Sequence, residues 1–219
     1  MCGAFSVILT PSGWKEVFRV ATPAGWHPVY NARPGEMLPI ITSEKSKQAT
    51  MAKWDYRPHW LKNSRGRGVI NARAESIATK PYFRGSFSKQ RCLIPADGFY
   101  EWNRHGKLSI PYRFTRRDEK PFSFAGLYDV LPETEDKNNI GFAIITTAAN
   151  DLVGKIHDRM PVMLQPDQEK VWLNEKTPPA TAQELLQPYP DDLMTMYPVS
   201  RRVNYAYEKG AEVIRPLPK

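Results

Sequence analysis

The chain has 219 residues, 31 Lys+Arg against 23 Asp+Glu for a net charge of +8, and 41% hydrophobic residues, which describes a soluble globular protein with one domain over residues 1–219. A chain of this length buries roughly 70% of its unfolded surface, so it needs no disulfide or metal staple, and Cys2 and Cys92 make neither a secreted disulfide framework nor a zinc-ligand spacing. No apolar run approaches the roughly 18 residues of a membrane helix, the start has no signal sequence, and position 2 lacks the glycine of a myristoylation signal; the expectation is a cytoplasmic monomer without metal or cofactor.

The first predicted element is a helix over residues 14–20, with Ser12 as its cap and Trp14, Val17, Phe18 and Ala21 at helical spacing. Strand signals then dominate. Segments 37–42, 51–56, 92–103, 110–115, 122–130, 141–147 and 161–164 are mostly rich in β-branched or aromatic residues and bounded by turn residues. Residues 103–107 read as a hairpin tip joining its two neighbours. Helices are predicted near 75–79, over 166–173 with Pro166 in the first turn, and over 181–186, where Thr181 and Glu184 form a capping box. The class is α+β: a mainly antiparallel, barrel-like sheet with flanking helices.

Five positions offer chemistry. Cys2 follows an initiator methionine that its small side chain allows to be removed, and removal would leave an α-amino group (~7.7–8.0) beside a thiol (~8.5) on one residue. Such a 1,2-aminothiol condenses with an aldehyde to an imine and closes through sulfur to a thiazolidine; the alternative is an ordinary buried cysteine. Strand alternation puts Asp97, Phe99 and Glu101 on one face and Tyr100 with Trp102, read as core, on the other. Glu101 is then either a partly desolvated proton-transfer group or a solvent-facing glutamate. His157, in Ile156-His157-Asp158-Arg159-Met160-Pro161, is a proton shuttle or a structural histidine. Asn71 and Arg73 stand at a strand-to-helix junction, suited to an anion or a sugar oxygen; Cys92 reads as core.

The positive balance favours an acidic partner. Arginines lie among aromatics in Trp54-Asp-Tyr-Arg-Pro-His-Trp60, Arg65-Gly-Arg67 and Tyr82-Phe-Arg84, a mixture that suits phosphate contact plus base stacking on single strands and equally a solvated basic surface over a core.

Taken in order, Met1-Cys2-Gly3, Tyr30-Asn31, Trp54 to Trp60, Asn71 to Glu75, Arg91 to Trp102, Ile145 to Ala149, Ile156 to Pro161 and Pro198 to Arg201 resemble the SRAP family of SOS response-associated peptidases, or abasic-site processing proteins, over nearly the whole chain. The resemblance implies β-barrel-like sheets with flanking helices and a positive channel for single-stranded DNA. It further implies that Cys2, exposed by methionine removal, joins an abasic deoxyribose through a thiazolidine. By motif, Asn71 would hold the linkage, Glu101 would move protons, and His157 would assist at the sugar hydroxyl. Arg73 and Arg159 would bind flanking phosphates, Arg201 would join the DNA-binding set, Thr146 would line the pocket, and Trp60 would offer a stacking or wedge surface.

Three departures accompany the match. Ala4 stands where family members usually have arginine, Arg33 where they usually have a small residue before proline, and Asp55 and Leu61 replace residues usual beside the tryptophans. Arg33 is expected to restore the charge missing at Ala4. Two rival activities carry the same start: an N-terminal-cysteine glutamine amidotransferase, and a single-stranded DNA-binding module without chemistry. Peptidase activity is expected to reach no further than the protein's own Met1.

Overall fold

The computed structural model describes residues 2–42, 48–61, 68–105, 108–132 and 139–218. In chain order the strands are β1 (Phe5–Val7), β2 (Val29–Ala32), β3 (Met37–Thr42), β4 (Thr50–Lys53), β5 (Asn71–Arg73), β6 (Arg91–Ala96), β7 (Gly98–His105), β8 (Leu108–Arg116), β9 (Phe122–Val130), β10 (Ile140–Ala148), β11 (Arg159–Pro161), β12 (Met163–Leu164) and β13 (Met194–Pro198). The helices are α1 (Pro11–Gly13), which runs into a π-helical turn over Trp14–Phe18, α2 (Pro81–Lys89), α3 (Pro166–Leu173) and α4 (Pro179–Glu184).

β4, β3, β6, β9 and β10 pair in a ring that closes from β10 back to β4. Four of its five pairings are antiparallel and β4–β10 is parallel. The closed ring leaves none of its five strands as a bare edge. An antiparallel sheet in the order β13-β8-β7-β1-β2 lies against it. β9 reads as a nearly continuous apolar run because both its faces are covered, and all but its last residue are buried. Gly126 at its middle is required by close approach: a Cβ there would stand 2.3 Å from Ile94 Cδ1 and 3.0 Å from Cys92 Sγ.

Phe5 ties the two sheets together. Its ring meets Trp54 at 5.2 Å and Phe124 at 5.6 Å, both edge-on, inside the barrel-side core. A second small core of Ala4, Tyr100, Val199, Val203 and Val213 covers the opposite face of β7. The alternation along 97–102 is therefore present, but both faces are buried.

Several predicted elements differ. The helix at 14–20 begins earlier, at Pro11, and its cap is Thr10, whose hydroxyl accepts from Gly13 N at 3.2 Å; Ser12 is not the cap. The segment 92–103 is two strands in two sheets. Asp97 turns the chain between them because its buried carboxylate accepts from Ser6 Oγ and Ile8 N at 2.5 Å each and pairs with Arg113. The helix near 75–79 is only a 3₁₀ turn over Ala74–Ser76, and the true helix of this region is α2. The segment 161–164 splits, β11 pairing β10 and β12 pairing β9. α4 starts at Pro179 after Pro178, so Thr181 lies inside it and makes no capping box. The hairpin between β7 and β8 is present through His105↔Leu108; Gly106 and Lys107 at its tip lie outside the described residues, as do Arg65 and Arg67. No helix among the described residues is long and apolar enough to cross a membrane.

Candidate functional site around Cys2

β1 is three residues long and begins three residues after Cys2, so Phe5 in the core sets where the start of the chain lies. Phe5 pairs with Phe99 and Ser6 with Gly98 on β7, and Tyr100 N donates to Ala4 O at 3.0 Å. Cys2 packs in the barrel-side core with Phe5, whereas Ala4 lies in the small core on the other face of β7. Asn71, at the start of β5, donates from Nδ2 to Cys2 O at 3.0 Å and fixes the segment from the other side. The Cys2 side chain is fully buried, with Sγ 3.8 Å from Ala4 O. Burial pushes its thiol pKa well above the ordinary range, and the charge of Glu101 acts in the same direction. Glu101 is itself only 3% exposed, which sets aside the reading of a solvent-facing glutamate. Cys92 is buried in the barrel wall, and burial raises its thiol too.

A second group surrounds Arg159. Thr146 on β10 is fully buried beside β5, in register with Arg73. Arg159 Nη2 donates to Thr146 O at 2.6 Å and to Glu75 Oε2 at 3.0 Å, while Nη1 pairs with Glu75 Oε1. That bidentate pair holds the Glu75 carboxyl below the usual carboxylate range. His157 Nδ1 accepts from Arg159 N at 3.0 Å and also lies 2.8 Å from Asp158 Oδ1. β5 joins both groups, since it carries Asn71 at one end and Arg73 at the other. Asn71, Glu101 and Cys2 are thus brought together, and Thr146, Arg159 and His157 form a neighbouring set.

The remaining predicted residues are spread more widely. The guanidinium of Arg33 donates from Nε to Asn31 Oδ1 at 2.9 Å, from Nη2 to Val203 O, and lies 5.6 Å from the centre of the Trp102 ring. Val203 belongs to the small core that holds Ala4, and Arg33 meets that segment at the Val203 carbonyl. Trp102, read as core, is only half-buried; its Nε1 donates to Asn204 Oδ1 at 2.6 Å. Arg73 and Arg201 are exposed. Trp60, 51% exposed, lines a cleft of about 270 Å³ with Pro58, His59, Tyr82 and Lys89. Glu75 as the partner of Arg159, and Asn31 as the support of the 203–208 loop, are the two roles that residue-by-residue reading missed; both link positions more than 80 residues apart.

A barrel of mixed strands backed by an antiparallel sheet, with a buried Cys2 clasped between a carboxylate and an asparagine amide, defines a protein built around its own N-terminal segment. The chain belongs to the family described as SOS response associated peptidase (SRAP), whose model matches residues 1–206. It is 41% identical over 221 residues to the abasic site processing protein YoqW of Bacillus subtilis (strain 168), covering 98% of this chain and 99% of that protein. It is 31% identical over 192 residues to the abasic site processing protein YedK of Escherichia coli (strain K12), covering 86% of this chain and 84% of that protein. Among solved structures, a protein from Bacteroides thetaiotaomicron superposes with a TM-score of 0.83 at 27% identity, covering 99% of this chain and all of that one.

Proposed function

We propose that this protein processes abasic sites in single-stranded DNA by forming a covalent thiazolidine through Cys2 once Met1 has been removed. The observation that supports it best is the clasp on Cys2: its backbone carbonyl held by Asn71, and its thiol buried beside Glu101. Excision of Met1 frees the α-amino group, which condenses with the ring-opened deoxyribose aldehyde and releases water as an imine. The thiol proton then passes through a base to the imine nitrogen as sulfur adds to the imine carbon, turning C=N into C–N and closing the five-membered ring. Burial makes the proton hard to lose to bulk water, so a neighbouring base is needed, and Glu101 is the carboxylate whose charge the thiol feels. Asn71 orients the nucleophilic residue. His157 assists at the sugar hydroxyl, Thr146 lines the pocket, and Arg33, Arg73, Arg159, Arg201 and Trp60 contact the flanking DNA.

The test is incubation of mass-verified, methionine-free protein with a single-stranded oligonucleotide carrying one abasic site. A denaturing-gel adduct lost in Cys2→Ala is expected. Binding without an adduct would leave a DNA-binding module, and glutamine hydrolysis without an adduct would point to the amidotransferase reading.

A further inference from the structure

Tyr205 and Tyr207 are the most exposed large apolar side chains among the described residues, at 54% and 75%. Their rings stack on each other, centres 5.5 Å apart and planes 25° apart. Rings so open to water add little to folding through burial, yet the backbone beneath them is held tightly. Asn31, fully buried, donates from Nδ2 to Val203 O at 3.3 Å, Tyr205 O at 3.2 Å and Glu208 O at 3.1 Å. Lys209 Nζ donates to Asn31 O at 2.6 Å, and Arg202 pairs with Glu208 at 3.0 Å and Glu212 at 3.6 Å. An exposed aromatic pair on a rigid mount is a surface prepared for a flat partner, because little ordering remains to be done when the partner arrives.

Position and charge identify the partner. Asn204, next in the chain to Tyr205, is bonded to Trp102, which follows Glu101 on β7, and Val203 shares a small core with Ala4, two residues from Cys2. The pair is thus carried by the loop that covers the Ala4 and Trp102 face of β7, the face where Arg33 lies, with the exposed Arg201 at the loop's start. The family model ends at residue 206, so Tyr207 falls beyond the shared pattern. We propose that Tyr205 and Tyr207 form a stacking platform for an unpaired nucleobase of the strand flanking the reacting sugar. This deepens the function proposed above and rests on it. The stacking face supplies sequence-tolerant affinity, and the neighbouring arginines supply the phosphate attraction that places the base there.

Fluorescence anisotropy with oligonucleotides carrying one tetrahydrofuran residue, which cannot form an imine, tests the platform apart from the covalent step. Successive flanking nucleotides are replaced by base-less sugars. Wild type should lose about tenfold in affinity when one particular base is removed, within the range of a single base–aromatic stack. The Y205A/Y207A variant should bind about tenfold more weakly and no longer respond to that removal, while Y205F/Y207F retains both properties. Adduct yield on true abasic DNA at saturating concentration should match wild type in Y205A/Y207A. Unchanged affinity in Y205A/Y207A, or an undiminished response to base removal, overturns the platform even if the adduct forms. Normal stacking behaviour with no adduct from wild type refutes the crosslinking function and leaves the platform as a DNA contact.

Discussion

Replacing Glu101 by Gln separates two roles for the carboxylate because they change the rate in opposite directions. Glutamine keeps the size and hydrogen-bonding reach of a side chain only 3% exposed, so the fold should be conserved while the charge is removed. That charge raises the Cys2 thiol pKa; without it the thiol ionises more readily, and if Glu101 acted only as a nearby negative charge, sulfur addition would become faster. If Glu101 accepts and returns protons, the loss should follow the range usual for removing a general acid–base, about 10²- to 10⁴-fold. That exceeds what relief of a single like-charge interaction can return. The assay is single-turnover adduct formation on a denaturing gel, with methionine-free protein in excess over abasic oligonucleotide, and anisotropy on the undamaged strand as control. A fall of at least a hundredfold with undamaged-strand affinity near wild type is expected. An equal or faster rate would remove Glu101 from proton transfer.

The two buried thiols make stability fall in alkaline solution. Burial raises the folded pKa of both Cys2 and Cys92, so above about 8.5 the unfolded chain releases protons that the folded chain keeps, and stability decreases as pH rises. Each thiol costs roughly 1.4 kcal/mol by pH 9.5, together about 3 kcal/mol relative to pH 7.5; urea melts of wild type and of Cys2→Ser/Cys92→Ala should show that fall only in wild type, and an equal fall in both would show the thiols are not its source. Arg33→Ala should weaken single-strand binding and reduce the slope of log affinity against log salt by about 0.7, the share of one phosphate; an unchanged affinity and slope would mean that its contacts to Asn31, Val203 and Trp102 are its whole role.

The elements legible in the sequence are those whose pattern is decided locally. β9 and α3 coincide with their predicted spans, the first because its apolar run is bounded by turn residues, the second because Pro166 opens it and Gln165 with Gln168 completes a capping box. α2 was hidden because Pro-Tyr-Phe-Arg-Gly-Ser-Phe-Ser-Lys carries little helical propensity. Phe83 and Phe87 are buried there by tertiary packing, and Ser86 is fixed by Tyr56 Oη at 3.0 Å. The break at Asp97 was hidden for the same reason: its signal lies in Ser6, Ile8 and Arg113, none of them neighbours in sequence. At the candidate site, Cys2, Asn71 and Glu101 could be picked out through the family resemblance of the motifs that carry them. The burial of Cys2, the engagement of Arg159 by Glu75 and the mounting of the 203–208 loop on Asn31 could not, since each depends on contacts across the fold.

A nucleophile at the start of a chain faces a general difficulty, because terminal residues fray, and fixing each backbone residue costs about 1–2 kcal/mol. Here one buried side chain offsets part of that cost. Phe5 is fully buried against Trp54 and Phe124, and burying a phenylalanine side chain contributes roughly 1.5–3 kcal/mol. Two hydrogen bonds, Tyr100 N to Ala4 O and Asn71 Nδ2 to Cys2 O, extend that anchorage to the reactive residue. In the proposed reaction the same anchorage lets one residue act through both nitrogen and sulfur. The imine fixes the sugar carbon on Cys2 itself, so ring closure needs only rotation within that residue, and the barrel core sets how freely Cys2 can leave the neighbourhood of Glu101. A substitution deep in the barrel at Trp54 or Phe124 would then reach the chemistry through Phe5, without touching DNA.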